Sequence, residues 1–563
     1  MGSDYETCFG ESGKSVVGYA DFGALGDGKT DDTPALIRAH TYANKQGLPV
    51  AADSRTYYLA PSARAIPVMT DTDWGNARFI IDDHALPPEE RMRPVFHIKS
   101  AHEPVPLHIG SLKKNQGKID AELPCNSLVI AVNEDSRQFR RVGLNVDKGS
   151  PQTDCFMVDK SGAVLNPILW DFEKISSITA YPMDRRSLSV KGGIFTTIAN
   201  QAPSEYTYYD RGLRITRSNV IVDGTVHLIE GEKEQGAPYS GFLNADSCAR
   251  VRFLNCHLSP HYIYTTIGSA GLPVKMGSYG ISLNRCVDIS FINCRHDNVM
   301  DKRYWGIFGS NYCKDILVDG CVFSRVDAHK GVANYTVKNS LIGYMGLKAT
   351  GSGLMRVENV SLLGDSIDLR ADYGSAWEGD LFFKDVTWRP ANPGACLIGA
   401  LNRGGHDFGY PCRLPRKIVI ENLTVLDGDM PAGEGGEVSI LPAHPETNGD
   451  LKSWTEKAPG DEPYVFTEIL EVRGVKTQSG RGFRLFSAPP EKCYAAFPGE
   501  VKGEKIIPNF RAFIDDAEGV IISLSSENLE YDGTHRLLPD IRIRNCPSVK
   551  LDRGKNPGII KTE

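Results

Sequence analysis

Three stretches of this chain repeat one nine-residue pattern: CARVRFLNC (248–256), CVDISFINC (286–294) and CKDILVDGC (313–321). In each, two cysteines flank an alternating apolar run that ends at an Asn-Cys or Gly-Cys step. The theme continues without the cysteine pair in TVKNS (336–340), RVENV (356–360), FFKDV (382–386), VIENL (419–423) and IRIRNC (541–546). The corner residues are Asn255, Asn293, Gly320, Asn339, Asn359, Asp385 and Asn422, spaced 38, 27, 19, 20, 26 and 37 residues apart. A fixed strand-and-corner unit at a variable period is the signature of a solenoid whose turns carry loops of different length. Alternation such as Val251-Phe253 and Ile289-Phe291 makes the units strands, and nothing between them reads as a crossover helix. The pattern predicts an all-β chain, a parallel β-helix. Its inner ladder would be Cys256, Cys294, Cys321 and Ser340, small side chains in a tight corner, with the Asn ladder hydrogen-bonding from turn to turn.

A solenoid grows in one dimension, so 563 residues do not force a division into separate folds. Gly 56 and Pro 33 with 24% charged residues suit a turn-rich β protein. A net charge of −7 argues against a general nucleic-acid binder, and no apolar run is long enough to cross a membrane as a helix. Thirteen cysteines, six of them in the repeats, read as buried small residues, since nothing resembles a CxxC metal pair. The start, MGSDYETC, lacks the apolar segment of an export signal, and Met-Gly-Ser reads as a vector remnant.

The stretch VGYADFGALGDGKTDDTPALIRAHTYANKQGLPVAADSRTYYL (17–59) predicts a turn at Gly26-Asp27-Gly28 and then a helix. Asp32 or Thr33 caps it, Pro34 sits in its first turn, and Gly47 ends it. Its apolar face, Ala35, Leu36, Ala39, Tyr42 and Ala43, would cover the open first turn. Residues 17–99 thus form the cap and first turns. Residues 100–190 read as hairpin strands of a β-rich insertion, and 191–563 as the remaining β-helix with a long loop region at 428–465.

DFGALGDGKTDDTPAL (21–36), followed by a helix and a Tyr-x-Leu strand, resembles the N-terminal signature of the pectate-lyase superfamily of right-handed β-helix proteins. That group includes polysaccharide lyases, glycoside hydrolases and phage tailspikes. Ala52-Asp53-Ser54 stands where the family's Pro-x-Gly precedes the Tyr strand. The segments TTIGSAGLPVKMGSYGI (265–281), YWGIFGSNYCKD (304–315) and RVDAHKGVANYTVKNSLIG (325–343) look like a bacterial subgroup of glycosaminoglycan lyases of the chondroitin-degrading type. The resemblance implies a secreted, periplasmic or cell-surface protein acting on an acidic polysaccharide.

Aligning the strands after each corner places Ile281, Ile307, Ala328, Leu347 and Leu369 inward. One outer column then reads Ser282, Phe308, His329, Lys348, Arg370; the next Gly280, Gly306, Asp327, Gly346, Asp368; a third Ser278, Tyr304, Arg325, Tyr344, Ser366. The glycines would leave bare backbone for a ligand to approach. β-Elimination at a uronate needs its carboxylate neutralised, the C5 proton removed and the departing O4 protonated. Arg370 or Arg325 could pair the carboxylate, His329 or Lys348 could take the proton, and Tyr304 or Tyr344 could act as acid. No cofactor is required; Ca²⁺ is a possible neutraliser, with Asp327 and Asp368 as ligands. A glycoside hydrolase would instead use Asp327 with Asp368 or Asp372 as its carboxylate pair. A tailspike-like glycan-binding protein is the non-enzymatic alternative. The loop 261–279 would overhang the groove and offer His261, Tyr262, Tyr264 and Lys275 to sugar rings.

Overall fold

The computed structural model describes residues 15–61, 64–205, 207–402, 406–431, 436–442, 446–447, 464–488, 495–524 and 537–563. The N-terminal segment 1–14 and most of the 428–465 loop region lie outside the described residues. The chain is a right-handed parallel β-helix, the hand expected of parallel crossover connections. The nine-residue repeats stack directly: Val251 pairs with Ile289 and Ile289 with Ile316, while Phe253 pairs with Phe291 and Phe291 with Val318. Alternation puts these side chains in the core, where the Phe253 and Phe291 rings stack at 4.8 Å.

Each turn has three short faces. One runs through Leu243–Asp246, Tyr279–Asn284 and Ile307–Asn311 into Arg325–Lys338. The second carries the cysteine repeats, and the third runs through His257–Leu258, Arg295–His296 and Val322–Phe323. The predicted corner residues all adopt left-handed backbone, with φ of 53° at Asn255, 54° at Asn293, 65° at Gly320, 51° at Asn339 and Asn359, 53° at Asp385 and 59° at Asn422. That conformation penalises a Cβ, which is why Asn, Asp and Gly recur there. The asparagines also form the expected ladder: Asn359 Nδ2 donates to Asn339 Oδ1 at 2.9 Å, and Asn422 Nδ2 to Asp385 Oδ1 at 2.8 Å.

Inside the corner, Cys294 N–H donates to Cys321 Sγ at 3.4 Å and Cys321 N–H to Ser340 Oγ at 3.0 Å. The small inner residues thus accept backbone hydrogen bonds from the preceding turn. The cysteines of both ladders are free and buried. A second left-handed corner, at Arg250, Asp288, Asp315 and Asn334, opens the repeat-bearing strands and was not evident in the sequence.

The predicted helix spans Thr33–Gln46, with Asp32 as N-cap and Gly47 closing it at φ 69°. Leu36, Ala39 and Ala43 join Val17, Val50 and Ile66 in the first layer of core, so the helix seals the solenoid end. The insertion forms its own antiparallel sheet from Val105–Pro106, Ser127–Gln138, Ser150–Val158 and Ser177–Pro182. The helix continues across it, because Leu188–Ile198 pairs in parallel with Thr72–Asp82. Leu128, Ile130, Cys155 and Met157 on one face of that sheet pack against Ala249 and Val287 of the helix. A fully buried ion pair, Lys314 Nζ to Asp154 at 2.7 Å, pins it there.

Asn359→Val should cost about 1–2 kcal/mol, because a β-branched residue is forced into left-handed backbone. Asn359→Gly, which keeps the conformation and loses only an exposed hydrogen bond, should stay within about 1 kcal/mol of the parent. Urea unfolding of the two variants side by side checks this; equal stabilities would remove the backbone explanation for the Asn ladder.

Candidate functional site

On the first face lies a groove of about 690 Å³. Its floor is helix strand and its walls are two hairpins. The first hairpin links Ser127–Gln138 to Ser150–Val158 in the insertion and supplies Arg141, Asn145 and Asp147. The second, Tyr264–Ile267 paired with Pro273–Met276, supplies Lys275 and Met276. Their tips bind each other: Ala270 N–H donates to the Leu144 carbonyl at 3.1 Å and Ser269 Oγ to that of Val146 at 2.6 Å. Phe139 anchors the first hairpin by packing its ring among Tyr312, Tyr373 and Tyr410.

The register differs from that expected. Ile281 pairs with Phe308, Phe308 with Val326, Val326 with Leu347 and Leu347 with Ile367. Phe308 therefore points into the core, where its ring meets Phe291 at 4.7 Å. The next outward column reads Ser282, Gly309, Asp327, Lys348 and Asp368. His329 has no partner in this ladder: Ser310 pairs with Ala328 and Asn311 with Lys330, so His329 is the extra residue of a β-bulge that Gly331, at φ 63°, completes. The bulge re-aims His329 and Lys330 into the groove.

Asp327, 1% exposed, holds the centre: Arg325 Nη2 donates to its Oδ2 at 2.5 Å and Arg370 Nη1 at 2.7 Å. Asp372 repeats the arrangement, accepting from Arg370 Nη2 at 2.7 Å and Arg141 Nε at 2.8 Å. Two carboxylates thus order three guanidiniums side by side, each over an aromatic ring: Arg325 over Trp305, Arg370 and Arg141 over Tyr373. His329 Nε2 lies 3.1 Å from Tyr373 Oη. Burial pushes the His329 pKa well below the ordinary imidazole value, and Arg370, Lys330, Arg141 and Arg325 push it further in the same direction. The ring is neutral at neutral pH. Burial also raises the Asp372 pKa, but Arg370 and Arg141 outweigh it and hold the carboxylate below its usual range.

Of the residues expected from sequence, the groove gathers Arg325, His329, Arg370 and Lys275, with Asp327 beneath them as the arginines' counter-ion. Lys348 is bound to Asp365 at 2.9 Å and Asp368 at 3.1 Å and is not a lining residue. Tyr304 stacks on Tyr262 outside the lining, and Tyr344 donates to the Tyr304 carbonyl at 2.7 Å. His261 and Tyr264 are buried against Glu232, at 3.0 and 2.8 Å, so the overhang offers Lys275 and not these two. The expected bare glycines serve internal packing: a Cβ on Gly280 would fall 2.4 Å from His296 Nε2, and one on Gly346 2.3 Å from the Asp365 carbonyl. Gly309 is the one that shapes the groove, because the Tyr279 ring lies across it at 2.4 Å from where its Cβ would be. Asp327 and Asp368, considered as calcium ligands, are each bound to cations, and among the described residues no group of three His, Cys, Asp or Glu side chains could hold a metal.

Sequence reasoning missed Arg141, Tyr279, Trp305, Lys330, Asp372 as an arginine partner, and Tyr373. Arg141 comes from the insertion and carries no repeat signal. Trp305 precedes the strand Ile307–Asn311, while the bulge displaces Lys330 and the short turn Ala371–Tyr373 displaces Tyr373 from the alternating pattern.

No family model matches the chain, and no curated protein matches it. Among solved structures, the tailspike of Acinetobacter baumannii bacteriophage AP22, in complex with A. baumannii capsular saccharide, is similar at 10% identity and a TM-score of 0.54, covering 97% of this chain and 79% of that one. The tailspike of Pseudomonas phage phi297 is similar at 12% identity and a TM-score of 0.49, covering 90% and 81%. A family 28 exopolygalacturonase of Yersinia enterocolitica is similar at 10% identity and a TM-score of 0.32, covering 97% and 78%. At these identities the likeness concerns the fold, and the AP22 tailspike carries it.

Asp327→Leu should destabilise the protein by about 3–5 kcal/mol, since it strips the buried Arg325 guanidinium of its carboxylate and leaves Arg370 with Asp372 alone. Asp368→Ala, on a half-exposed pair, should cost no more than about 1 kcal/mol. Denaturant midpoints of the two variants test the contrast, and a small effect of Asp327→Leu would show that the arginines do not depend on it.

Proposed function

We propose that this groove binds an acidic polysaccharide and cleaves it by β-elimination at a uronic acid, a glycosaminoglycan such as chondroitin sulfate being the first substrate to test. The observation that supports this reading most is a neutral histidine set among three aligned guanidiniums. A uronate carboxylate paired with Arg325 and Arg370 loses the charge that opposes carbanion formation at C5. His329, kept unprotonated by burial and the same cations, takes the C5 proton, and Tyr373 fixes its ring. Tyr279, whose hydroxyl burial keeps protonated, gives a proton to the departing O4. Trp305 and Tyr208 on the lining offer faces on which sugar rings can pack.

Hydrolysis fits the site less well. It requires one carboxyl group with a raised pKa as general acid, whereas Asp372 is held below its usual range and Asp327 is enclosed by two arginines. A binding role without cleavage is the second reading, favoured by the AP22 tailspike that was solved with a saccharide. Either role suits a secreted, periplasmic or cell-surface protein.

Incubation with chondroitin sulfate, hyaluronan, polygalacturonate and alginate should generate the ultraviolet absorbance of a C4–C5 unsaturated uronate. Cleavage products without the double bond would reassign the groove to hydrolysis, and an intact panel would reassign it to binding. His329→Ala should lower kcat about 10²–10⁴-fold, while Lys348→Ala should retain most activity. Because the His329 pKa is depressed in the folded protein, the base stays available as pH falls through the ordinary histidine value of about 6.5. The acid limb of kcat/KM should therefore lie below that value, and a limb at or above it would exclude His329 as the base.

A further inference from the structure

The two hairpins that wall the groove also cross it. The lining passes from Ser240 through Tyr279, Ile307 and Arg325 to Arg370, residues on turns stacked about 4.8 Å apart, so the groove runs along the solenoid axis. The hairpins rise from opposite edges of that floor. The one in the insertion stands where the floor strands end: Phe139 packs on Tyr312, which follows Asn311, and Ser150 Oγ accepts from Lys330 Nζ at 2.8 Å. The other stands where they begin: Ile263 N–H donates to the Arg303 carbonyl at 2.9 Å, and Met276 shortly precedes the strand Tyr279–Asn284. The tips close the span. Ala270 N–H reaches the Leu144 carbonyl, Ser269 Oγ that of Val146, and a Cβ on Gly268 would fall 2.4 Å from the Leu144 oxygen. We propose that the joined hairpins are an arch under which the polysaccharide is threaded by its end, so that cleavage proceeds from that end.

The identity of the polymer rests on the function proposed above; the arch rests on these contacts. Both of its feet are braced. Phe139 sits among the rings of Tyr312, Tyr373 and Tyr410, and Tyr262 stacks on Tyr304 at 5.1 Å. His261 and Tyr264, which elimination leaves unused, hold the second foot to Glu232 at 3.0 and 2.8 Å. Aromatic packing and buried hydrogen bonds keep a loop in one place, whereas a flap that opens is fastened at few points. Arg325 and His329 line the same space as Asn145 and Lys275 of the arch. A chain lying along the axis over these residues therefore passes between floor and arch. An internal segment of a long chain cannot be laid in from above, so by mass action the binding places are chain ends and not repeats.

The test uses the full chain and chondroitin sulfate fractionated into two pools of different length, compared at equal mass. Binding is measured by titration calorimetry with His329→Ala, and initial rates with the parent. For pools about tenfold apart in length, affinity and rate per repeat should both be about tenfold lower with the longer pool, which offers that many fewer ends. Replacing residues 268–272 by Asn-Gly keeps the hairpin, since Ile267 pairs with Pro273, and removes both tip contacts. The shortened protein should bind and cut both pools equally per repeat, and viscosity should fall faster per double bond formed than with the parent. Equal affinity per repeat before shortening, or a length dependence that survives it, would overturn the arch. Unsaturated products formed without length dependence would do the same and leave elimination standing. Length-dependent binding without such products would uphold the arch and remove elimination, and failure to bind either pool would remove both.

Discussion

Everything in this molecule depends on the left-handed corner that ends each strand. A solenoid turn must change direction at the same place on every level, or its strands cannot stay in parallel register. Asn255, Asn293, Gly320, Asn339 and Asn359 make that change with φ between 51° and 65°, and their amides or bare backbone let the next turn settle on top. Behind them, Cys321 Sγ and Ser340 Oγ accept the backbone N–H groups of Cys294 and Cys321 from the turn before. Corner and ladder together fix the register, and the register fixes which side chains of adjacent turns stand side by side.

The groove departs from this regularity in two places, and both departures bring titratable side chains into it. The bulge at His329–Gly331 interrupts the ladder and turns two basic side chains out of line. The insertion reaches over from outside the repeat and adds Arg141, locked to Asp372. Burying several guanidiniums would be unfavourable without counter-charges, and Asp327 and Asp372 meet that need while leaving the arginines ordered toward the groove. Burial, and after it the same concentration of positive charge, lowers the pKa of both His329 and Lys330. Electrostatics of the site thus follows from how the bulge and the hairpin bring cations together, with no single residue responsible.

Much of the site could be seen in the sequence because Arg325, Asp327, His329 and Arg370 lie on or beside strands of the repeat. Lys348 illustrates the opposite case. Strict alternation placed it in one column with His329 and Arg370, but the true ladder sets it beside Asp327 and Asp368, where Asp365 and Asp368 neutralise it. The error came from aligning strands whose inward residues are two apart, Val326 and Ala328 for example. Both point to the core, so apolar periodicity cannot choose between them. His261 and Tyr264 look available in a polar loop, yet they are drawn inward by Glu232, a contact between segments about thirty residues apart that no local pattern reports.

The sequence by itself determined the β-helix, its corner residues, its inner cysteine ladder and its capping helix. Each of these follows from local backbone requirements: left-handed φ at the corners, alternation along the strands, capping and proline at the helix start. Tertiary structure decided the register of the groove-bearing face, the bulge that turns His329 toward the groove and the wall built from the insertion. Those features depend on how distant segments stack and on where charge can be compensated. A repeat declares its own geometry in the chain, whereas the place where it is broken is defined only by what packs against it.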